Sequence, residues 1–226
     1  MPLNEAKGNM YDFITHTWNT VKGKCPHDCS YCYMKRWGKQ REPYFDMKEL
    51  KTDLGEDNFI FVGSSCDLFA YDIPNDWIMN TLSKMCGYDN QYLLQSKNPV
   101  KLASYINDFF TRPTIICTTI ETNRMYPVIM GQCPSPLDRA ESMSYIKYRK
   151  FVTIEPIIDF DLKPMVELIK KCNPEQVNIG ADSGNNGLPE PPIEKVLELI
   201  DRLKGFTIIA KKKNLDRLVN KIITNE

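Results

Sequence analysis

The chain has 226 residues with 29 basic and 29 acidic side chains, a balance that excludes a global electrostatic footprint for polyanions and leaves any such binding to a local patch. No apolar stretch follows Met1 and no run of about 18 apolar residues occurs, so neither a signal peptide nor a membrane span is expected, and the expected location is cytoplasmic. Of the eight cysteines, Cys66, Cys86, Cys117, Cys133 and Cys172 are scattered through apparent strands, helices and a loop, which reads as reduced thiols rather than a disulfide framework.

Residues 1–11 read as an irregular lead-in. Asp12–Trp18 (DFITHTW) has the β-branched and aromatic content of a first strand. After it comes CPHDCSYCY, in which Cys25, Cys29 and Cys32 form a CxxxCxxC set. Three thiols within eight residues indicate a metal site, and two chemistries compete for it. A four-iron cube normally takes four thiolates, so three local ligands leave one iron open to a small molecule. A structural zinc would complete its tetrahedron with His27 or a distant cysteine, but zinc modules usually carry two separated pairs of ligands, and no second pair is seen. Between Asn19 and Arg41, six cations (Lys22, Lys24, Lys35, Arg36, Lys39 and Arg41) stand against Asp28 alone, interleaved with Tyr31, Tyr33 and Trp37. Such a basic, aromatic segment over residues 22–41 suits phosphates and bases.

Beyond the motif, strands and helices alternate. Asp46 can cap a helix over Met47–Leu54, and Asn58–Gly63 is a continuous apolar strand of the kind buried in parallel sheets. A helix is expected from Asn75 to Met85, a strand over Gln91–Gln95, a helix over Val100–Phe110 and a strand over Thr114–Ile120. Ser135 followed by Pro136 starts a helix expected to run to Lys150. Strands Phe151–Glu155 and Gln176–Gly180 bracket a helix over Lys163–Cys172. Ile193, Val196, Leu197, Ile200 and Leu203 recur at helical spacing, with Gly205 as a left-handed stop. A strand over Phe206–Ile209 and a helix over Asn214–Ile223 close the chain. About seven strands separated by helices imply one α/β domain over residues 1–226 with parallel pairing, closed or partly closed like a TIM barrel. Ligands then belong at the C-terminal ends of strands. Gly63, Ser64, Ser65 and Cys66 stand at one such end, Lys97 at the next, and Thr119 with Glu121 after that. Glu155 with Ile157, then Gly180 to Gly184, occupy the following two.

The segment CPHDCSYCYMKRWGKQREPY resembles the cluster segment of spore photoproduct lyase and its relatives. Through TWN, QSKNP, TTIETNR, SPLDRAE and IEPI, the whole chain is similar to a phage-associated, lyase-like family of radical S-adenosylmethionine (radical-SAM) enzymes. That resemblance implies a parallel, partial (βα)6 TIM-like barrel in which Cys25, Cys29 and Cys32 hold a [4Fe–4S] cluster. It further implies that S-adenosyl-L-methionine is cleaved reductively to a 5′-deoxyadenosyl radical that abstracts hydrogen. Tyr31 would lie near the adenine, Gly63, Ser64 and Ser65 would receive the methionine amino group, and Lys97 would approach its carboxylate. Thr119, Glu121, Glu155 and Ile157 would line the rest. Cys66, offset by two residues from the lyase's hydrogen-donating cysteine (where this chain has Ser64), is a candidate donor, with Tyr31 or Tyr33 passing the radical onward. The electron would come from a donor such as flavodoxin or ferredoxin, and the favoured substrate is a nucleobase or nucleic acid held by the basic loop. Radical modification of a peptide or small metabolite is the rival among enzymes, and a zinc-stabilised binding module the rival outside them.

Overall fold

Apolar, β-branched runs become the strands of one sheet in the computed structural model, which describes residues 3–106 and 113–220. The elements in order are Asn4–Glu5 (β1), His16–Trp18 (β2), Val21–Lys22 (β3), Tyr44–Phe45 (β4), Phe59–Val62 (β5), Asn75–Cys86 (α1), Gln91–Gln95 (β6) and Pro99–Ile106 (α2). They continue with Thr114–Thr119 (β7), Pro127–Met130 (α3), Pro136–Tyr145 (α4), Arg149–Ile154 (β8), Leu162–Cys172 (α5), Gln176–Ile179 (β9), Ile193–Lys204 (α6), Ile208–Lys211 (β10) and Asp216–Asn220 (α7). The sheet runs β1-β2-β5-β6-β7-β8-β9-β10, parallel throughout except for β1, and β3 pairs with β4 as a separate two-stranded ribbon. This is a mixed α/β fold built on a mostly parallel sheet.

The strands alternate between two buried faces. Ile60, Val62, Tyr92, Leu94, Ile116, Val152, Ile154, Val177 and Ile179 share one core with apolar side chains of α1, α2, α4, α5 and α6. Burying each large apolar side chain there contributes about 1.5–3 kcal/mol. Because the helices lie on a single side, the other face needs a different cover. It comes from the lead-in to β2: Tyr11, Ile14, Leu93, Ile115, Cys117 and Phe151 form a second core with Phe13, Phe59 and Phe61 beside it. Phe13 stacks on Tyr11 with centroids 5.4 Å apart and meets Phe59 at 5.0 Å and Phe151 at 5.5 Å. The strand expected over Asp12–Trp18 is therefore only three residues long. Its aromatic half turns back, with Ile14 N–H bonded to the Tyr11 carbonyl at 3.0 Å, and lies across what we call the inner face.

Other boundaries move for local reasons. The helix expected over Met47–Leu54 is a single 3-10 turn at Glu49–Lys51, where Glu49 reaches back to Lys22 (2.7 Å) and its carbonyl accepts from Trp18 Nε1. The helix from Pro136 stops at Tyr145 rather than Lys150, because Lys150 pairs with Ile116 in the sheet and its ammonium bonds the Met143 carbonyl. Gly205 is right-handed (φ −66°), and the strand after it begins at Ile208. Residues 107–110 of the helix expected over Val100–Phe110, and residues 221–223 of the closing helix, lie outside the described residues.

Candidate active site

The loop after β2 carries the three cysteines to the C-terminal ends of the parallel strands. Three turns shape it, with Asp28 N–H bonded to Cys25 O, Cys32 N–H to Cys29 O and Lys35 N–H to Cys32 O, at 3.0–3.2 Å. The segment around α3 pins it from outside: Ser30 N–H donates to Ile129 O (2.9 Å) and Gln132 N–H to His27 O (2.7 Å). Gly131, at φ +67°, is required between them, since a Cβ there would overlap the His27 carbonyl oxygen. A half-buried carboxylate braces the loop from the strand ends. Asp67 holds His27 Nε2 (2.9 Å), Ser96 Oγ (3.0 Å) and Lys97 N–H (2.8 Å) on one oxygen and Phe69 N–H (2.9 Å) on the other.

Each of two loop thiols has a second thiol as its partner. The Cys66 thiol beside Cys25, with burial opposing, lowers it to about 7. Cys133 and Cys29 both donate to the Met130 carbonyl (3.0 and 3.3 Å), and Cys29, with Cys133 and Lys97 nearby, falls to about 5, while Cys66 and Cys133 are pushed up. Burial raises Cys32. Lowered thiols are the ones ready to bind metal as thiolates. Lys97 Nζ lies 3.3 Å from Cys29 Sγ and 2.8 Å from Glu121 Oε1, and Tyr31 OH bonds to both Lys97 and Glu121. Glu121 is fully buried, its other oxygen 2.8 Å from the equally buried Arg139. Burial would raise the Glu121 carboxyl, but Arg139 and Lys97 outweigh it and hold it well below the usual range.

The structure thus gathers Cys25, Cys29, Cys32, Tyr31, Lys97, Glu121 and Cys66 into one cluster. Tyr33 reaches the adjoining turn, its hydroxyl donating to Ser64 O at 3.0 Å. Gly63 (φ 77°), Ser64 and Ser65 form that turn over Asn19, whose Oδ1 accepts from Ser64 Oγ (3.2 Å) and Ser65 N–H (2.9 Å). Ser65 Oγ is buried without a hydrogen-bond partner, an orphan of the kind a ligand amine would satisfy. Thr119 lies one pleat below Glu121 and accepts from Gln95. Glu155 sits farther along the mouth, paired with Lys212 at 2.8 Å. Ile157 is fully buried in the larger core, to which Cys66 also belongs. Lys97 meets a protein carboxylate here, so any ligand carboxylate would share it with Glu121. Asn19, Asp67, Gly131 and Cys133 were not singled out from sequence; the TWN lead-in was the one hint of Asn19.

Among the described residues no three His, Cys, Asp or Glu side chains converge as they do around one metal ion, and His27 Nε2 is taken by Asp67. A single zinc needs all its ligands about 2.0–2.3 Å from one point, whereas the thiolates of an iron–sulfur cube bind different irons and stand apart. The donor set, the lowered thiols and the orphan Ser65 hydroxyl fit a cluster with an open position beside it. In the basic segment, Lys24 and Lys35 both pair with Asp28, and Lys22 pairs with Asp46 and Glu49. That leaves Arg36, Lys39 and Arg41 to carry its charge, beside a Trp37 that is 76 % exposed. No helix among the described residues is long and apolar enough to cross a membrane.

No protein family matches the chain, and no curated protein matches it either. Among solved structures the fold is similar to that of a cysteine-to-serine mutant of spore photoproduct lyase, with a TM-score of 0.52 and 11 % identity. The likeness covers 88 % of this chain and 64 % of that one, so the chain spans about two thirds or less of the lyase and shares its fold.

Proposed function

We propose that the chain is a radical-SAM-type enzyme whose sheet curls into a partial barrel around the mouth. The observation that carries this is the three-thiol loop at the C-terminal strand ends, with Lys97, Tyr31 and the orphan Ser65 hydroxyl beside it. Cys25, Cys29 and Cys32 would hold a [4Fe–4S] cluster, and Ser65 with Lys97 would hold the amino and carboxylate groups of S-adenosylmethionine. When bound, these cofactors supply one-electron cleavage of a sulfonium C–S bond and thereby hydrogen abstraction from a substrate.

The chain's own residues prepare the site. Cys66 beside Cys25, and Cys133 with Lys97 beside Cys29, favour the thiolate forms of those two ligand thiols. Asp67 ties the cluster loop to the ends of β5 and β6, and Arg139 keeps Glu121 charged, so Lys97 is held in place before any ligand arrives. A nucleobase or nucleic-acid substrate is the reading favoured by Arg36, Lys39 and Arg41 around exposed Trp37. A one-electron donor such as flavodoxin or ferredoxin completes the proposal.

The test is anaerobic reconstitution followed by reduction. About four irons per chain and release of 5′-deoxyadenosine from SAM are expected, both lost in Cys29→Ala. Stoichiometric zinc without iron, or full cleavage by Cys29→Ala, refutes the reading.

A further inference from the structure

A hollow of about 330 Å³, open to solvent, lies where the start of the cysteine loop, the β3–β4 ribbon and the start of α1 meet. That volume is at the small end of the range for ligand pockets. Its walls are mostly rings: Pro26 of the loop, Pro43 just before β4, Pro74 just before α1 and the indole of Trp77. The charged groups on it are Lys24, Glu42 and Asp72.

Both sides of the hollow are held before anything enters it. Lys24 N–H donates to Arg41 O at 2.8 Å, and Gly23, at φ +100°, permits that approach, since a Cβ there would lie 2.6 Å from Glu42 O. On the facing side, Lys101 Nζ bonds the carbonyls of Ala70, Tyr71 and Ile73 at 2.7–3.0 Å, which fixes the loop that carries Asp72. Trp77 stacks on Phe45 with ring centroids 5.8 Å apart. The charges are not matched in the same way. Lys24 Nζ is taken by Asp28 at 3.0 Å, whereas Glu42 and Asp72 are exposed carboxylates with no hydrogen bond or ion pair among the described residues. Lys101 attracts Asp72, but its ammonium is bonded to the three carbonyls. Prolines have no backbone N–H, so beyond the engaged Lys24 these walls offer flat apolar surface and acceptors, and few donors.

From this geometry we infer that the hollow is a socket for an arginine side chain of a partner protein. A guanidinium is planar, lies well on an indole and carries five N–H donors that point in more than one direction, so one group can serve Glu42 on the ribbon side and Asp72 on the helix side. Its methylene stem covers the proline rings. A lysine ammonium is more strongly hydrated and has no flat face to lay on Trp77. Free arginine would bring its own carboxylate up to two others, whereas a peptide chain brings none. Tyr71, next to Asp72 and 82 % exposed, extends the apolar surface past the socket toward a larger partner. Because Pro26 directly follows Cys25, a partner seated here rests against the cysteine loop. None of the socket's side chains is assigned to the cluster or to SAM, so occupancy and SAM cleavage are separate readouts.

The test is a calorimetric titration of the reconstituted protein with the peptide acetyl-Gly-Arg-Gly-amide. The same peptide with citrulline or lysine in place of arginine, and free L-arginine, are the comparisons. Saturable binding of the arginine peptide is expected, about tenfold weaker with citrulline, which keeps the shape and loses the charge, and about threefold weaker with lysine. Glu42→Gln and Asp72→Asn should each weaken it about threefold and together about tenfold, with iron content and SAM cleavage unchanged. Trp77→Phe, which keeps a ring on Phe45, should weaken it about threefold. No saturable binding, equal affinity for the citrulline or lysine peptide, or full affinity in the Glu42→Gln/Asp72→Asn protein overturns the socket. Free arginine binding as tightly as the peptide overturns the protein partner. Loss of the socket with SAM cleavage intact leaves the radical-SAM reading standing, and loss of iron and cleavage with peptide binding intact does the reverse.

Discussion

Gly131 lies against His27 so closely that the loop bearing the cysteines and the segment after β7 share one backbone contact surface. A Cβ at residue 131 would overlap the His27 carbonyl oxygen and come within 2.9 Å of the Asp28 backbone. Gly131→Ala should therefore cost about 1–3 kcal/mol from positive φ alone, with displacement of the loop added. Thermal melting and iron content after reconstitution measure the two effects. A variant with wild-type stability and wild-type iron would show that the loop does not depend on this contact.

The buried Glu121–Arg139 pair gives the fold an acid sensitivity with a definite sign. Glu121 has a folded value well below its unfolded one of about 4.3. Its contribution is therefore complete above that unfolded value and is lost as pH falls from it toward the folded one. Glu121→Gln should be less stable than wild type at pH 7 by about 3–5 kcal/mol, because it leaves the Arg139 charge buried with a neutral partner. The gap should narrow as the pH is lowered below about 4. Melting curves of both proteins across that range decide it, and a constant gap would count against the ion pair.

Asn19 is expected to act on the cofactor rather than on the fold. Its Oδ1 is the acceptor that holds both Ser64 and Ser65 in their turn. Asn19→Ala should weaken SAM binding by about 3- to 10-fold, the worth of one or two hydrogen bonds, with iron content unchanged. Equal SAM affinity in the two proteins would remove the Ser64–Ser65 turn from the binding site.

Salt dependence tests the reduced basic patch. With Lys22, Lys24 and Lys35 tied to acids, Arg36, Lys39 and Arg41 are the cations expected to release counterions on binding oligonucleotides. The slope of log affinity against log salt should be about −2 to −3 and should fall by about two units in Arg36→Glu/Lys39→Glu. A flat salt response of the wild type would argue for a substrate other than nucleic acid.

The alternation of strand and helix was legible because its signals are local. Gln91–Gln95 is a strand over the residues expected, and Ile193, Val196, Ile200 and Leu203 form the buried stripe of a helix, joined by Leu199, whereas Leu197, expected with them, is exposed. The cysteine triplet was legible for the same reason. What stayed hidden depends on partners distant in the chain. Tyr11 and Phe13 alternate as in a strand, and nothing near them says that they will pack against Phe59, Phe61 and Phe151. Gly131 and Cys133 sit in a sequence that reads as an ordinary turn, and only the folded chain brings them to His27 and Cys29. The count of six cations against one acid in the basic segment missed Asp46 and Glu49, which lie beyond its end.

The aromatic lead-in also sets an order of assembly. Phe13 emerges early in synthesis, yet the surfaces it rests on, Phe59 and Phe151, belong to strands made much later. Contacts of such long span form slowly, so the inner face stays uncovered until β8 has paired. A nascent chain halted before that point exposes its sheet on the side where the mouth will be, which makes this stage the one most in need of a chaperone.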